Sequence, residues 1–243
     1  MPHRHAIFAC PPRDDPLTAL AARWLGRHAW SGEATTQPSV AGIGEATAFP
    51  RRYGFHATIV APFRPAPGVA ARDVDARLDA FCATEAPIPL PLRVERLGAF
   101  LALVPAGPSA ALDAMEARAV RHFHALRAEP GAEEIARRRP ERLTARQREH
   151  LARWHYPYVL DEFRYHMTLT GPVPDGEAPG LREAIERHFP ADILAAHALD
   201  GLARYDEPAP DSPFLVAHRA PFAATRDGAA DAPQATAQPD GPS

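Results

Sequence analysis

The chain has 243 residues, 46% hydrophobic and 23% charged, with a formal net charge of −3. That length and composition suit a soluble globular protein with a sizeable core, and the mildly acidic balance gives no global reason to expect nucleic acid as the main partner. Two cysteines, Cys10 and Cys82, are too few for a disulfide framework, and no stretch approaches the ~20 apolar residues of a membrane helix, so a reduced cytoplasmic setting is expected.

In chain order, residues 5–10 (His5-Ala6-Ile7-Phe8-Ala9-Cys10) read as a strand stopped by Pro11-Pro12, with an apolar run too short for a signal peptide. Leu17, Leu20, Ala21, Trp24 and Leu25 follow helical spacing. Residues 31–50, rich in Gly, Thr and Ala, read as a loop. A strand containing His56 follows, then a helix with Val74, Leu78, Phe81 and Cys82 on one face, which makes Cys82 buried and inert. Strands are expected over 90–97 and 99–104, and a helix carrying Leu112, Met115, Ala119, Phe123 and Leu126. Residues 129–143 are polar and basic, a surface excursion with Arg137-Arg138-Arg139 at its middle. Thr144-Ala145-Arg146-Gln147 has the form of a capping box and starts a helix running to about Trp154. A second strand contains His166, followed by a helix with Leu181, Ile185 and Phe189 and strands over about 198–205 and 213–219. Beyond Phe222 the composition turns to Ala, Asp, Pro, Gly and Gln, and residues 223–243 are expected to be disordered.

One phrase occurs twice. His56-Ala57-Thr58-Ile59 lies within Tyr53-Gly54-Phe55-His56-Ala57-Thr58-Ile59-Val60-Ala61-Pro62, and His166-Met167-Thr168-Leu169 within Tyr165-His166-Met167-Thr168-Leu169-Thr170-Gly171-Pro172. Alternate strand residues share a face, so each His and its Thr point the same way. The order His strand, helix, strand, strand also repeats, from 56 to 100 (a span of 44) and from 166 to 214 (a span of 48). This suggests an internal duplication that brings both His strands to one axis. Cleaving a phosphodiester without a metal needs a base for the attacking group and an acid for the leaving oxygen. Imidazole, with an ordinary pKa of ~6.5, serves as either near neutral pH, and Thr hydroxyls can hold the non-bridging oxygens.

These residues resemble the paired His-x-Thr motifs of the 2H phosphoesterase superfamily, which includes RNA 2′,3′-cyclic phosphodiesterases and 2′-5′ RNA ligase-like proteins. Arg51-Arg52-Tyr53-Gly54-Phe55-His56-Ala57-Thr58, Trp154-His155-Tyr156-Pro157-Tyr158-Val159 and Phe163-Arg164-Tyr165-His166-Met167-Thr168-Leu169-Thr170-Gly171-Pro172 resemble more closely the DUF1045 branch, associated with phosphonate-utilisation operons. The resemblance implies an α+β, bilobal, duplicated LigT-like fold, with two antiparallel sheets facing a central cleft and helices outside. On that pattern residues 1–222 form one domain, with lobes at about 1–128 and 144–222. It implies a metal-independent phosphodiesterase with His56 and His166 as the acid–base pair and Thr58 and Thr168 on the phosphate. The substrate it suggests is a small, cyclic phosphodiester such as a ribose cyclic phosphate. The branch often carries Lys where this chain has Val60, so another cation must replace it.

Arg51, Arg52, Arg64 and Arg164 are the nearest candidates, and strand parity favours Arg52 and Arg164 for the phosphate, against ordinary solvent exposure. Tyr156 and Tyr158 are candidate pocket residues, with packing beside Trp154 as the competing role. Thr170 shares the parity of His166 but reads as structural. His3-x-His5 and His122-x-His124 lack companions at metal-ligand spacing, so no metal and no cofactor are expected. The Arg137–Arg139 run reads as a solvated loop, weakened as a nucleic-acid contact by Glu133 and Glu134. The expected partner is a small phosphorylated metabolite, a cyclic phosphodiester, with no membrane, and the protein is expected to be a monomer. RNA is the second candidate, and a non-catalytic binder of phosphometabolites is the third reading.

Overall fold

The computed structural model describes residues 4–223. The tail beyond residue 223, expected to be disordered, lies outside the described residues. Strand β1 (Arg4–Ala9) leads into helix α1 (Pro16–Leu25), whose first turn is closed by the Asp15 carboxylate accepting from the Leu17 N–H at 2.7 Å. Gly26, at φ 77°, ends it in the left-handed conformation. The stretch expected as a loop holds two short helices, α2 (Ile43–Ala46) and α3 (Ala48–Tyr53). Strand β2 (Ala57–Phe63) follows, then α4 (Ala71–Cys82), with Val74, Leu78, Phe81 and Cys82 all buried.

Strands β3 (Ile88–Pro89), β4 (Leu92–Leu97) and β5 (Phe100–Pro105) precede α5 (Ala110–Phe123), capped by the Ser109 hydroxyl. The polar excursion is not a bare loop: α6 (Ala132–Arg137) lies in it. Helix α7 (Ala145–Trp154) starts with the expected capping box. The Thr144 hydroxyl accepts from the Gln147 N–H and the Gln147 side chain from the Thr144 N–H, both at 3.1 Å. Then come β6 (Met167–Thr168), α8 (Ala178–His188), α9 (Ala191–Ala196), β7 (Ala198–Leu199), β8 (Gly201–Glu207) and β9 (Leu215–Pro221).

Seven strands hydrogen-bond in one antiparallel sheet of order β4-β5-β6-β2-β1-β8-β9, and β3 pairs with β7 separately. The two sheets expected to face a cleft are therefore joined edge to edge, through the single pair Ala57↔Met167. The pairing also crosses the two halves of the chain. The β4–β5 hairpin sits beside β6, whereas the β8–β9 hairpin sits beside β1. Helices follow the same exchange: α4 covers β8 and β9, and α8 and α9 cover β4.

The main core lies between the sheet and these helices, with Trp24, Leu78, Met115, Phe123, Ile185 and Phe189 at its centre. The Trp24 indole N–H donates to the Leu169 carbonyl at 3.0 Å, which ties α1 to the segment leaving β6. Left unpaired there, that N–H would cost about 1–3 kcal/mol. A second apolar cluster, with Phe8, Tyr205 and Phe214, lies on the other face of the sheet, where the cleft opens. No helix among the described residues is long and apolar enough to cross a membrane.

Candidate active site

The Ala57↔Met167 pair is the local centre of the site. In an antiparallel ladder, continuing that register one residue each way sets His56 opposite Thr168 and Thr58 opposite His166. All four side chains then share one face, and the two His positions lie diagonally, on the order of 7–8 Å apart. That spacing leaves room for one tetrahedral group between the rings. His56, Thr58, His166 and Thr168 indeed line one cavity of about 420 Å³.

Both imidazoles are held the same way. His56 Nδ1–H donates to the Gly54 carbonyl at 2.9 Å, and His166 Nδ1–H to the Arg164 carbonyl at 2.7 Å. A carbonyl only accepts, so each neutral ring carries its proton on Nδ1 and leaves Nε2 unprotonated, able to accept. Nε2 of His56 lies 3.4 Å from the Thr58 hydroxyl. The first tether depends on glycine. Gly54 sits at φ 76°, ψ 177°, and a Cβ there would meet Ala29 Cβ at 2.7 Å.

The surroundings of the two rings differ. Phe8 stacks on His56 with centroids 3.9 Å apart, and Tyr205 lies at 6.0 Å. Phe8 pairs directly with Thr58 across β1 and β2, which brings it over the ring. Burial pulls His56 down to about 4; the charge of His166 adds to this, and the Gly54 bond opposes it. His166 is also lowered, by burial, against the bond to the Arg164 carbonyl, and Phe100 approaches it at 5.7 Å. Both rings are neutral at rest near neutral pH, and an arriving phosphate favours their charged forms.

Four guanidinium groups line the cavity: Arg4, Arg52, Arg137 and Arg138. Arg52 is where the sequence placed a cation, but not for the parity given, because it lies on α3 and not on a strand. Arg4 shares the face of Phe8 on β1. Both are clamped by Glu207, which has no exposed surface. Arg4 reaches it through Nε at 2.5 Å and a second nitrogen at 2.9 Å, and Arg52 at 2.5 Å. Burial alone would raise the Glu207 carboxyl, and these bonds more than offset that and hold it below its usual range. Arg52 also meets Asp211 at 3.1 Å.

The other candidates fall elsewhere. Arg51 turns away to the Leu25 carbonyl and the Thr47 hydroxyl. Arg64 reaches the Glu129 carbonyl and Glu134 and pins the excursion to the end of β2. The Arg164 side chain lines an adjoining cavity of about 640 Å³ with Phe100, Tyr158 and Phe163; strand parity does not apply to it, since β6 begins at Met167. Tyr156 lines both cavities and packs on the Trp154 cluster. Tyr158, 47% exposed, lines only the adjoining one. Thr170 is fully buried, accepts from the Leu101 N–H at 2.9 Å and is structural. Val60 is buried in the core, so the cations of the cleft come from other elements. In the Arg137–Arg139 run, Arg137 and Arg139 are exposed as expected, and Arg137, the last residue of α6, and Arg138, its C-cap, also line the cavity.

Residues 58–215 match the family described as "Protein of unknown function (DUF1045)". The chain belongs to DUF1045. The matched region holds Thr58, His166 and Thr168, and His56 lies just ahead of it. This DUF1045 chain is 39% identical over 229 residues to a Janthinobacterium sp. (strain Marseille) protein named "Ribose 1,5-bisphosphate phosphokinase PhnN", covering 90% of this chain and 51% of that one. A Laribacter hongkongensis protein of the same name is 31% identical over 215 residues, 88% of this chain and 50% of that one. The chain thus spans about half the length of the curated relatives it matches. A solved structure titled "Crystal structure of phosphoesterase" aligns over 92% of this chain and 99% of that one, at 12% identity and a TM-score of 0.39, too distant to argue from. Among the described residues, no three His, Cys, Asp or Glu side chains are grouped to hold a metal.

Proposed function

We propose that this chain is a metal-independent phosphodiesterase acting on a small, cyclic phosphodiester, such as a ribose cyclic phosphate in phosphonate catabolism. The observation that carries the reading is that both His-x-Thr units, flanking the Ala57↔Met167 pair, line one cavity with each ring tethered through Nδ1. His56, the ring whose charge is more strongly disfavoured, takes a proton from water as the water oxygen attacks phosphorus. The P–O bond to the leaving alkoxide breaks, and His166, which takes a second proton from solvent on Nε2 when the phosphate anion binds, delivers that proton to the alkoxide oxygen. Thr58 and Thr168 donate to the non-bridging oxygens, where charge grows in the transition state. The duplicated, two-lobed origin of the fold belongs to the same proposal.

The kinase name of the relatives does not transfer to this region. All 27 basic side chains are arginine, so a phosphate-cradling loop ending in Gly-Lys-Ser or Gly-Lys-Thr cannot lie in the chain. A second reading, an enzyme of RNA 2′,3′-cyclic phosphate or 2′-5′ linked ends, is favoured by one observation. The adjoining cavity offers Phe100, Tyr156, Tyr158 and Phe163 to a planar base.

The test is hydrolysis of ribose cyclic phosphate by chelator-treated protein across pH. In the free enzyme, activity rises as pH climbs through about 4, where His56 loses its proton and can accept one. It falls as pH climbs through the His166 value, below 6.5, where the acid is lost. The expected kcat/KM profile is a bell with its optimum between these limits. Activity abolished by the chelator, or still rising above about pH 7.5, contradicts the reading.

A further inference from the structure

The charges of the cavity are unevenly matched. Arg4 and Arg52 are neutralised by Glu207 and Asp211, and Glu134 lies 3.8 Å from Arg64. Arg137 and Arg138 make no ion pair and no side-chain hydrogen bond among the described residues, yet both line the cavity. Arg138 is held in place without being neutralised. Its guanidinium stacks over the Tyr156 ring, 4.8 Å from the centroid, and Tyr156 in turn packs on the cluster of Val120, Trp154 and Val159. The cavity's arginines without a carboxylate partner among the described residues are therefore Arg137, the last residue of α6, and Arg138, its C-cap, one helix length from Glu133 and Glu134 in its first turn.

The excursion that carries α6 is built to stay over the cavity. Pro65 and Arg127 form an isolated bridge at its base, the Ala128 N–H donates to the Arg64 carbonyl at 2.8 Å, and Arg64 reaches the Glu129 carbonyl at 3.3 Å. Two guanidinium groups side by side on a tethered wall, neither paired with a carboxylate among the described residues, offer their forks to an anion in the cavity. A phosphate between the two imidazoles would already be served by Thr58 and Thr168.

We infer that Arg137 and Arg138 form a second anion subsite, so that the substrate carries a non-reacting phosphate monoester in addition to the phosphodiester that is cleaved. This rests on the proposed function for the reacting phosphate and adds the second group. The monoester's peripheral oxygens take the guanidinium forks of Arg137 and Arg138, which fixes the diester at the paired imidazoles. No bond to the monoester changes in the reaction. Arg137 and Arg138 are positioning residues.

Two measurements test this separately from turnover. The first is calorimetric binding of ribose 5-phosphate and of ribose. Wild type is expected to bind the phosphate ester on the order of 100-fold more tightly, and R137Q/R138Q to lose most of that advantage, while T58V/T168V keeps it. The second is the ratio of kcat/KM for a ribose cyclic phosphodiester with a 5-phosphate to that for the same diester without it. The ratio is expected to be on the order of 100 in wild type and within about threefold of unity in R137Q/R138Q. Circular dichroism checks that the double variant is folded. Equal binding of ribose and its phosphate, or an advantage lost in T58V/T168V and kept in R137Q/R138Q, overturns the subsite. Arg-dependent binding without turnover of either diester leaves the subsite standing and rejects the hydrolase reading instead.

Discussion

Replacing either His56 or His166 with alanine is expected to lower kcat/KM for a cyclic phosphodiester by on the order of 10²–10⁴-fold, the usual contribution of one positioned acid or base. The two losses should be similar, because each ring supplies one proton transfer in the same step. The double variant should lose much less than the product of the single losses, since groups that act as a unit are not additive. His56→Asn separates position from chemistry. Its amide N–H can still donate to the Gly54 carbonyl that Nδ1 serves at 2.9 Å, but it presents no basic nitrogen at Nε2. It is expected to be as inactive as the alanine variant. Retention of activity to within tenfold in either alanine variant would show that the ring is not the acid or base.

Glu207 carries the largest expected effect on stability. It is fully buried and accepts from Arg4 twice and from Arg52 once, at 2.5 to 2.9 Å. Removing one partner of a buried ion pair commonly costs about 3–5 kcal/mol, because the remaining charge is left without compensation. Here the guanidinium groups are 21% and 29% exposed and can turn partly to water, so Glu207→Ala is expected to cost about 2–3 kcal/mol in urea unfolding at pH 7. The carboxyl is held below its ordinary 4.5, so its contribution is present above that value and is lost as pH falls through the lower folded value. Glu207→Gln should therefore show a flatter loss of stability on acidification than wild type. A change under about 0.5 kcal/mol at pH 7 would mean that the network does not hold the fold.

Much of the site was legible because it depends on short-range rules. Strand alternation anticipated that each His and its Thr share a side, and all four line one cavity although β2 and β6 each begin one residue after the His; the capping box at Thr144 and Gln147 is a local signal. The helices α2 and α3 were missed because runs of four and six residues, one of them containing Pro50, are too short to show a helical period. That miss produced the wrong reason for Arg52. β6 is shorter than its β-rich neighbourhood suggested, since its ladder stops after Thr168 ahead of Gly171-Pro172.

The crossing of hairpins between the halves could not be read from local pattern. Which strand lies beside β1 or β6 depends on pairing between residues distant in the chain, such as Phe8 with Ala203 and Thr168 with Ala102. The same holds for Arg4, Arg137 and Arg138. As sequence they are a terminal residue and a charged run, and only the folded chain brings them to one wall. Arg4 did leave one trace, its shared parity with Phe8 on β1.

In the proposed reaction two imidazoles from distant segments act on one phosphorus. Following the Nε2 resonances of His56 and His166 by NMR while titrating vanadate, a mimic of the pentacoordinate transition state, tests it most directly. Both resonances are expected to move together in one saturable step at one vanadate per chain, and His56→Ala to weaken the response of His166. Movement of only one ring, or two steps with separate midpoints, would contradict it.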